Sequence, residues 1–190
     1  MSETYEPSEW DYFVGCVPPS DMFKISLNQL RELVNSYKEE HGLNYVAEVS
    51  LIGLAAYFEA FCSNEFAAVV NMCPELLGKF VAKRGEVSVQ LGAFETLGYR
   101  LDNRLGFLLS EKYDFGSAKS INSLYRDLLS FTPFSAAEAR RYERLLNDRN
   151  LLVHRGGVYT HKYLSHTRAG RPPRDRVYFD SLVVLKKDFG

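Results

Sequence analysis

Cysteine is scarce in this chain: there are three, Cys16, Cys62 and Cys73, an odd number with no CxxC pair among them. A disulfide framework and a structural zinc site are therefore not expected, and a reducing cytoplasm suits the composition. A charge excess is also missing, since 23 Lys and Arg face 24 Asp and Glu for a formal net charge of −1. That excludes a molecule that binds polyanions over its whole surface. No uninterrupted apolar run has the length needed to cross a bilayer, so no membrane association is expected. The opening MSETYEPSEW is acidic and has no apolar centre, so a signal peptide is not expected either. No phosphate-cradling glycine loop, GxSxG or HExxH motif occurs. His161 and His166 stand far from any Cys or carboxylate pattern. No metal and no cofactor are expected on these grounds.

What is present is a chain of 190 residues, 46% hydrophobic and 14% aromatic, enough to bury a substantial core in one domain. Its charges are unevenly placed. Residues 1–24 hold five acids and one base, whereas residues 135–176 hold ten bases and four acids. The C-terminal third is thus a basic region within a near-neutral protein, able to attract a polyanion locally.

Hydrophobic periodicity predicts an all-α fold, an antiparallel bundle of about five helices with a small C-terminal β-hairpin. Residues 1–24 mix proline, acids and aromatics without period and read as an extended arm. Residues 25–157 read as the helical domain. Its first helix is ISLNQLRELVNSYKEEHG, with Ile25, Leu27, Leu30, Leu33, Val34 and Tyr37 on its apolar side. The second runs from Tyr45 to Cys73 before Pro74 and is apolar nearly all round, as expected of a central helix covered on several sides. LGAFETLGYRLDNRLGFLLSEKY makes a third, weakened by Gly98 and Gly106, and a short fourth centres on INSLYRDLLSF. The fifth is the best marked. Ser135-Ala-Ala-Glu138 is a capping box, and Gly156-Gly157 offers a left-handed stop. Residues 158–190 read as the hairpin appendage, VYTHKYLSHT and DRVYFDSLVVLKK around the basic loop RAGRPPR.

The fifth helix carries an anomaly. Tyr142, Leu145, Leu146, Leu152 and Val153 form its apolar stripe, and position 149, four after Leu145 and three before Leu152, is an arginine. A guanidinium facing inward keeps its charge and needs a partner. Glu59, inside the apolar GLAAYFEAFC, is the expected partner for Arg149, with Glu95 the rival. Beside the stripe, Asn147, Asn150 and His154 make a polar row at spacings of three and four. At 3.6 residues per turn, His154 stands about 140° around the axis from Arg149. The two therefore converge only on a ligand at the helix end, or across a second subunit.

Arg149, Asn150, three apolar residues and His154, on the last long helix of an α-bundle, resemble the signature of the HEPN superfamily, the "higher eukaryotes and prokaryotes nucleotide-binding" domains. That signature is an arginine, four to six residues and a histidine, usually with Asn, Asp or His directly after the arginine. The YFEAF segment at Tyr57 to Phe61 is similar to the acidic second helix of many members. A second spacing of this kind, Arg155 to His161, is broken by Gly156-Gly157. The resemblance covers about residues 25–157. It implies a metal-independent endoribonuclease that uses the 2′-OH of RNA and leaves 2′,3′-cyclic phosphate and 5′-OH ends. It implies His154 as general acid or base, Arg149 as phosphate clamp, and Asn150 holding the phosphate or orienting the histidine. Glu59 supports them. It further implies a homodimer through the helix bearing Arg149 and His154, and a toxin or defence effector, with an antitoxin such as a nucleotidyltransferase-like protein as possible partner. Arg155, Lys162, Arg168, Arg171 and Arg174 would then contact the RNA backbone. The alternative is a non-catalytic HEPN module that binds RNA, nucleotide or a partner protein. The bland readings are a His154 that caps its own helix end, and basic residues of the loop that form a solvated surface.

Overall fold

A computed structural model of the chain describes residues 9–37, 45–88 and 104–167, with isolated positions at 92, 95 and 101. Within them lie seven α-helices and no β-strand, in keeping with the all-α class. They are α1 (Pro19–Ser36), α2 (Tyr45–Met72), α3 (Leu76–Arg84), α4 (Leu105–Ser110), α5 (Ala118–Leu129), α6 (Ala136–Arg155) and α7 (His161–Thr167). The helices belong to two units that interleave along the chain. One comprises residues 1–24 and 59–135, the other residues 25–58 and 136–190.

The first unit is built on an aromatic core. Phe66 of α2, fully buried, meets Phe80, Phe115, Tyr125 and Tyr113 edge-on, at centroid separations of 5.6, 5.6, 6.1 and 6.3 Å. Edge-to-face pairs of this kind add roughly 0.5–1.5 kcal/mol each beyond burial. Arg84 at the end of α3 lies over the rings of Phe80 and Tyr113 while bonding Asp127 and Ser123 of α5, both at 2.8 Å. A weakly hydrated planar cation suits that stacked, bridging position. The Tyr125 hydroxyl donates to the Cys62 carbonyl at 2.9 Å. Burial pushes the Cys62 thiol up to about 12, with the Glu65 and Glu59 carboxylates adding to the effect. Cys62 is thus packed as a small apolar side chain, as free cysteine commonly is.

Two expectations need correction here. Residues 9–16 form two short 3-10 turns, and α1 begins at Pro19, so the described part of the arm is not extended. Pro19 supplies a preset φ where the first-turn N–H groups need no intrahelical partner, and Asp21 suits the positive helix start. Gly106, read as a weakness in the third helix, is instead a contact point. Its N–H donates to Asn71 Oδ1 at 2.6 Å, and a Cβ there would lie 2.0 Å from the Ala67 carbonyl oxygen of α2. The first half of the expected third helix falls largely outside the described residues. The fourth is observed as α5, capped by the Ser117 hydroxyl and closed by Ser130 in the left-handed conformation.

In the second unit, Ala47 and Leu51 of α2 pack with Leu151 and Leu152 of α6 and with Tyr159 and Tyr163, flanked by Ile52, Leu145 and Leu164. Phe58 and Tyr142 add an edge contact at 5.1 Å. The apolar side of α1 is only partly covered: Val34 is buried, whereas Ile25 and Leu33 are exposed. Nor is α2 covered all round, since Tyr45, Val49 and Tyr57 face solvent. By length and composition alone α2 could cross a membrane, its most apolar window averaging a hydropathy of 1.4. Glu48, Glu59 and Glu65 interrupt its apolar sequence.

VYTHKYLSHT, expected as the first arm of a β-hairpin, takes another form. Its residues from His161 to Thr167 are helix α7. Thr160 Oγ1 accepts from the Tyr163 N–H at 3.2 Å, which caps the first turn. Tyr159 and Tyr163, four apart, stack at 5.3 Å and bury against Leu151 and Leu152. That buried face outweighs the strand preference of Val158, Thr160 and the tyrosines. The second arm and the basic loop lie outside the described residues.

Candidate functional site

α6 begins directly after Ser135, with Glu138 in its first turn, and runs twenty residues to Arg155. Gly156 and Gly157 then take φ of 56° and 80°, and their N–H groups reach the carbonyls of Leu152 and Leu151 at 3.1 and 3.2 Å. This glycine stop turns the chain back, so that α7 comes to lie beside the last turns of α6. The two helices are clasped by the Tyr163 hydroxyl, which donates to the carboxylate of Asp148. His154 and Arg155 occupy the last turn of α6, where the carbonyl end of the helix favours positive charge.

Between them opens a cleft of about 470 Å³. α6 contributes Asn147, Asn150, Leu151, His154 and Arg155, and the α7 side contributes Thr160, Lys162 and Tyr163. The polar row read from the spacing of α6 therefore lines one wall in full. His154, Arg155 and Lys162 are exposed to solvent, and Tyr163 is buried behind them. The chemistry on offer is an imidazole, two side-chain amides and two cations. Such a set suits an oxygen-rich anion.

Of the residues singled out in the sequence, Asn150, His154, Arg155 and Lys162 come together here. Arg149 does not line the cleft. It stands on the packing side of α6, in register with the buried Tyr142, Leu146 and Leu152, half-buried itself. Its Nη1 donates to Asn150 Oδ1 at 2.9 Å, and its buried Nε has no hydrogen-bond acceptor among the described residues. Glu59 belongs to the first unit, near Gly116, so the Glu59–Arg149 pair remains an expectation of the sequence. Arg168, Arg171 and Arg174 lie outside the described residues. Sequence reasoning missed Thr160, Tyr163 and the Asp148–Tyr163 clasp. The spacing of Tyr159, Tyr163 and Leu164 held a helical signal, but nothing in it named Asp148.

Comparison with family models, with curated proteins and with solved structures finds no match for the chain.

Proposed function

We propose that the α6–α7 cleft is the active site of a metal-independent endoribonuclease of the HEPN type. The observation that carries this reading is that His154 and Asn150 open into one cleft with two cations, Arg155 and Lys162. Cleavage of RNA through its own 2′-OH needs a proton taken from that hydroxyl, a proton given to the departing 5′-oxygen, and charge neutralised on the phosphoryl oxygens. His154 performs one of the proton transfers. Arg155 and Lys162 hold the phosphodiester charge, and Asn150 donates to a phosphoryl oxygen. One histidine serves one proton transfer at a time. The second comes from another copy of the chain, with two α6 ends facing one phosphate in a homodimer. The oxygen of the 2′-OH forms a new bond to phosphorus as the bond to the 5′-oxygen breaks, which leaves a 2′,3′-cyclic phosphate and a 5′-OH. A toxin or defence effector, held in check by an antitoxin such as a nucleotidyltransferase-like protein, is the role that suits such an activity.

One observation favours a second reading. Arg149, which the resemblance makes catalytic, is absent from the cleft wall. That is what a non-catalytic module binding RNA, nucleotide or a partner protein would tolerate. Purified dimer incubated with mixed RNA separates the two. Products ending in cyclic phosphate, lost in His154→Ala, support the ribonuclease. Intact RNA across several substrates leaves the binding module.

A further inference from the structure

We infer that Arg149 is a positioning residue: it acts on the cleft through Asn150, pinning the side-chain amide so that its two N–H donors face the bound anion. This rests on the reading of the cleft as a phosphate site. Three observations carry it. Arg149 and Asn150 are neighbours on one helix, about 100° apart around its axis, so they present different faces. Asn150 lines the cleft and Arg149 does not. And the two are joined at 2.9 Å by Arg149 Nη1 donating to Asn150 Oδ1.

A guanidinium has donors only, so the amide must turn its oxygen toward Arg149. Its nitrogen is then directed away, and Nδ2 makes no hydrogen bond among the described residues. An unpinned amide rotates by half a turn and offers a cleft ligand either an acceptor or donors with little preference. An acceptor beside a phosphate repels it. The arginine removes that alternative, and the charge-assisted bond polarises the amide so that its N–H groups become stronger donors. The cleft thereby gains oriented donors from Asn150 beside Arg155 and Lys162. The cation that orients them stays on the packing side of the helix.

The test uses the full-length protein and a fluorescent 2′-O-methyl RNA oligonucleotide, which lacks the attacking hydroxyl. Its affinity is measured by anisotropy for the wild type, Arg149→Ala, Arg149→Lys, Asn150→Ala, Asn150→Asp and the double alanine variant. The Asn150 side-chain NH₂ resonance is followed by ¹⁵N NMR without ligand, identified by its loss in Asn150→Ala. Each single alanine variant should weaken binding roughly two- to tenfold, the scale of one hydrogen bond. The double variant should bind no more weakly than Asn150→Ala alone. Arg149→Lys, which keeps a donor, should recover part of the loss. Asn150→Asp keeps the partner of Arg149 but puts an acceptor in the cleft, and should bind worst. The NH₂ resonance should move in Arg149→Ala and less in Arg149→Lys. Should Arg149→Ala fail to fold, the Arg149→Lys and Asn150→Asp comparisons decide alone. Losses that multiply in the double variant, or an unmoved Asn150 resonance, overturn the inference. A wild type that does not bind the probe overturns both this and the phosphate site. A coupled pair in a protein that leaves cleavable RNA intact overturns only the ribonuclease.

Discussion

Replacing Gly106 by alanine asks α4 to place a methyl group 2.0 Å from the carbonyl oxygen of Ala67, 2.8 Å from its carbon and 2.8 Å from Asn71 Oδ1. The first two atoms are helical backbone near the C-terminal end of α2 and cannot rotate aside. Relief requires α4 to move outward by more than an ångström, since ordinary contact begins near 3.4 Å. That displacement breaks the 2.6 Å bond from the Gly106 N–H to Asn71, leaving a buried donor and a buried amide oxygen unpaired. Overpacking of this kind costs about 1–3 kcal/mol. The unsatisfied pair adds about 1–3 kcal/mol. Better helix propensity of alanine returns about 1 kcal/mol. The net expectation is a loss of about 3 kcal/mol. For a chain of this size that is a fall of roughly 6–12 °C in Tm, read by circular dichroism or calorimetry. Gly78 of α3 is the control, because a Cβ there meets nothing within 4 Å. Gly78→Ala should stabilise by about 0.5–1 kcal/mol through propensity alone. If Gly106→Ala melts at or above the wild type, the close approach of α4 to α2 is not real and the reasoning fails.

Glu65 and Tyr163 provide two further tests. Burial raises the Glu65 carboxyl above its usual range, against a lowering by the Ser20 backbone N–H that it accepts. The folded state therefore holds that proton more tightly than the unfolded chain, so ionisation costs stability as pH rises through the unfolded and then the folded pKa. Glu65→Gln, which keeps an acceptor for Ser20, should be more stable than the wild type near pH 7. The gain should shrink as denaturant titrations are taken down past about pH 4.5, and a gain independent of pH would exclude a charge origin. Tyr163→Phe removes the donor to Asp148 while leaving the ring in its packing place. Loss of a hydrogen bond to a charged group should cost about 1–3 kcal/mol in urea unfolding. It should also weaken binding of the 2′-O-methyl probe, because α7 carries Lys162; unchanged affinity would show that the clasp does not hold the cleft wall.

How far the site was legible depends on the range of the interactions that make it. Asn147, Asn150 and His154 follow from helical spacing alone, and the stop after Arg155 follows from two glycines whose φ few other residues adopt without strain. Both are local, and both appear in the structure. The stripe position of Arg149 was equally local, yet its use was not. Spacing shows that a cation is turned toward the packing side, but not whether it meets a distant carboxylate or the amide next to it. The opposite wall is hidden in the sequence for a related reason. VYTHKYLSHT is rich in β-branched and aromatic residues, and its strand propensity is worth a few tenths of a kcal/mol per position. Burying Tyr159 and Tyr163 is worth several times more once the glycine turn lays them on Leu151 and Leu152. The decisive quantity is thus the direction in which the chain leaves Gly157, set by two dihedral angles. That same direction brings the Tyr163 hydroxyl to Asp148, fifteen residues earlier, and Lys162 to the cleft. A site made by one helix is readable from its period. A site made by a helix and the segment that folds back on it becomes readable only when the turn between them is known.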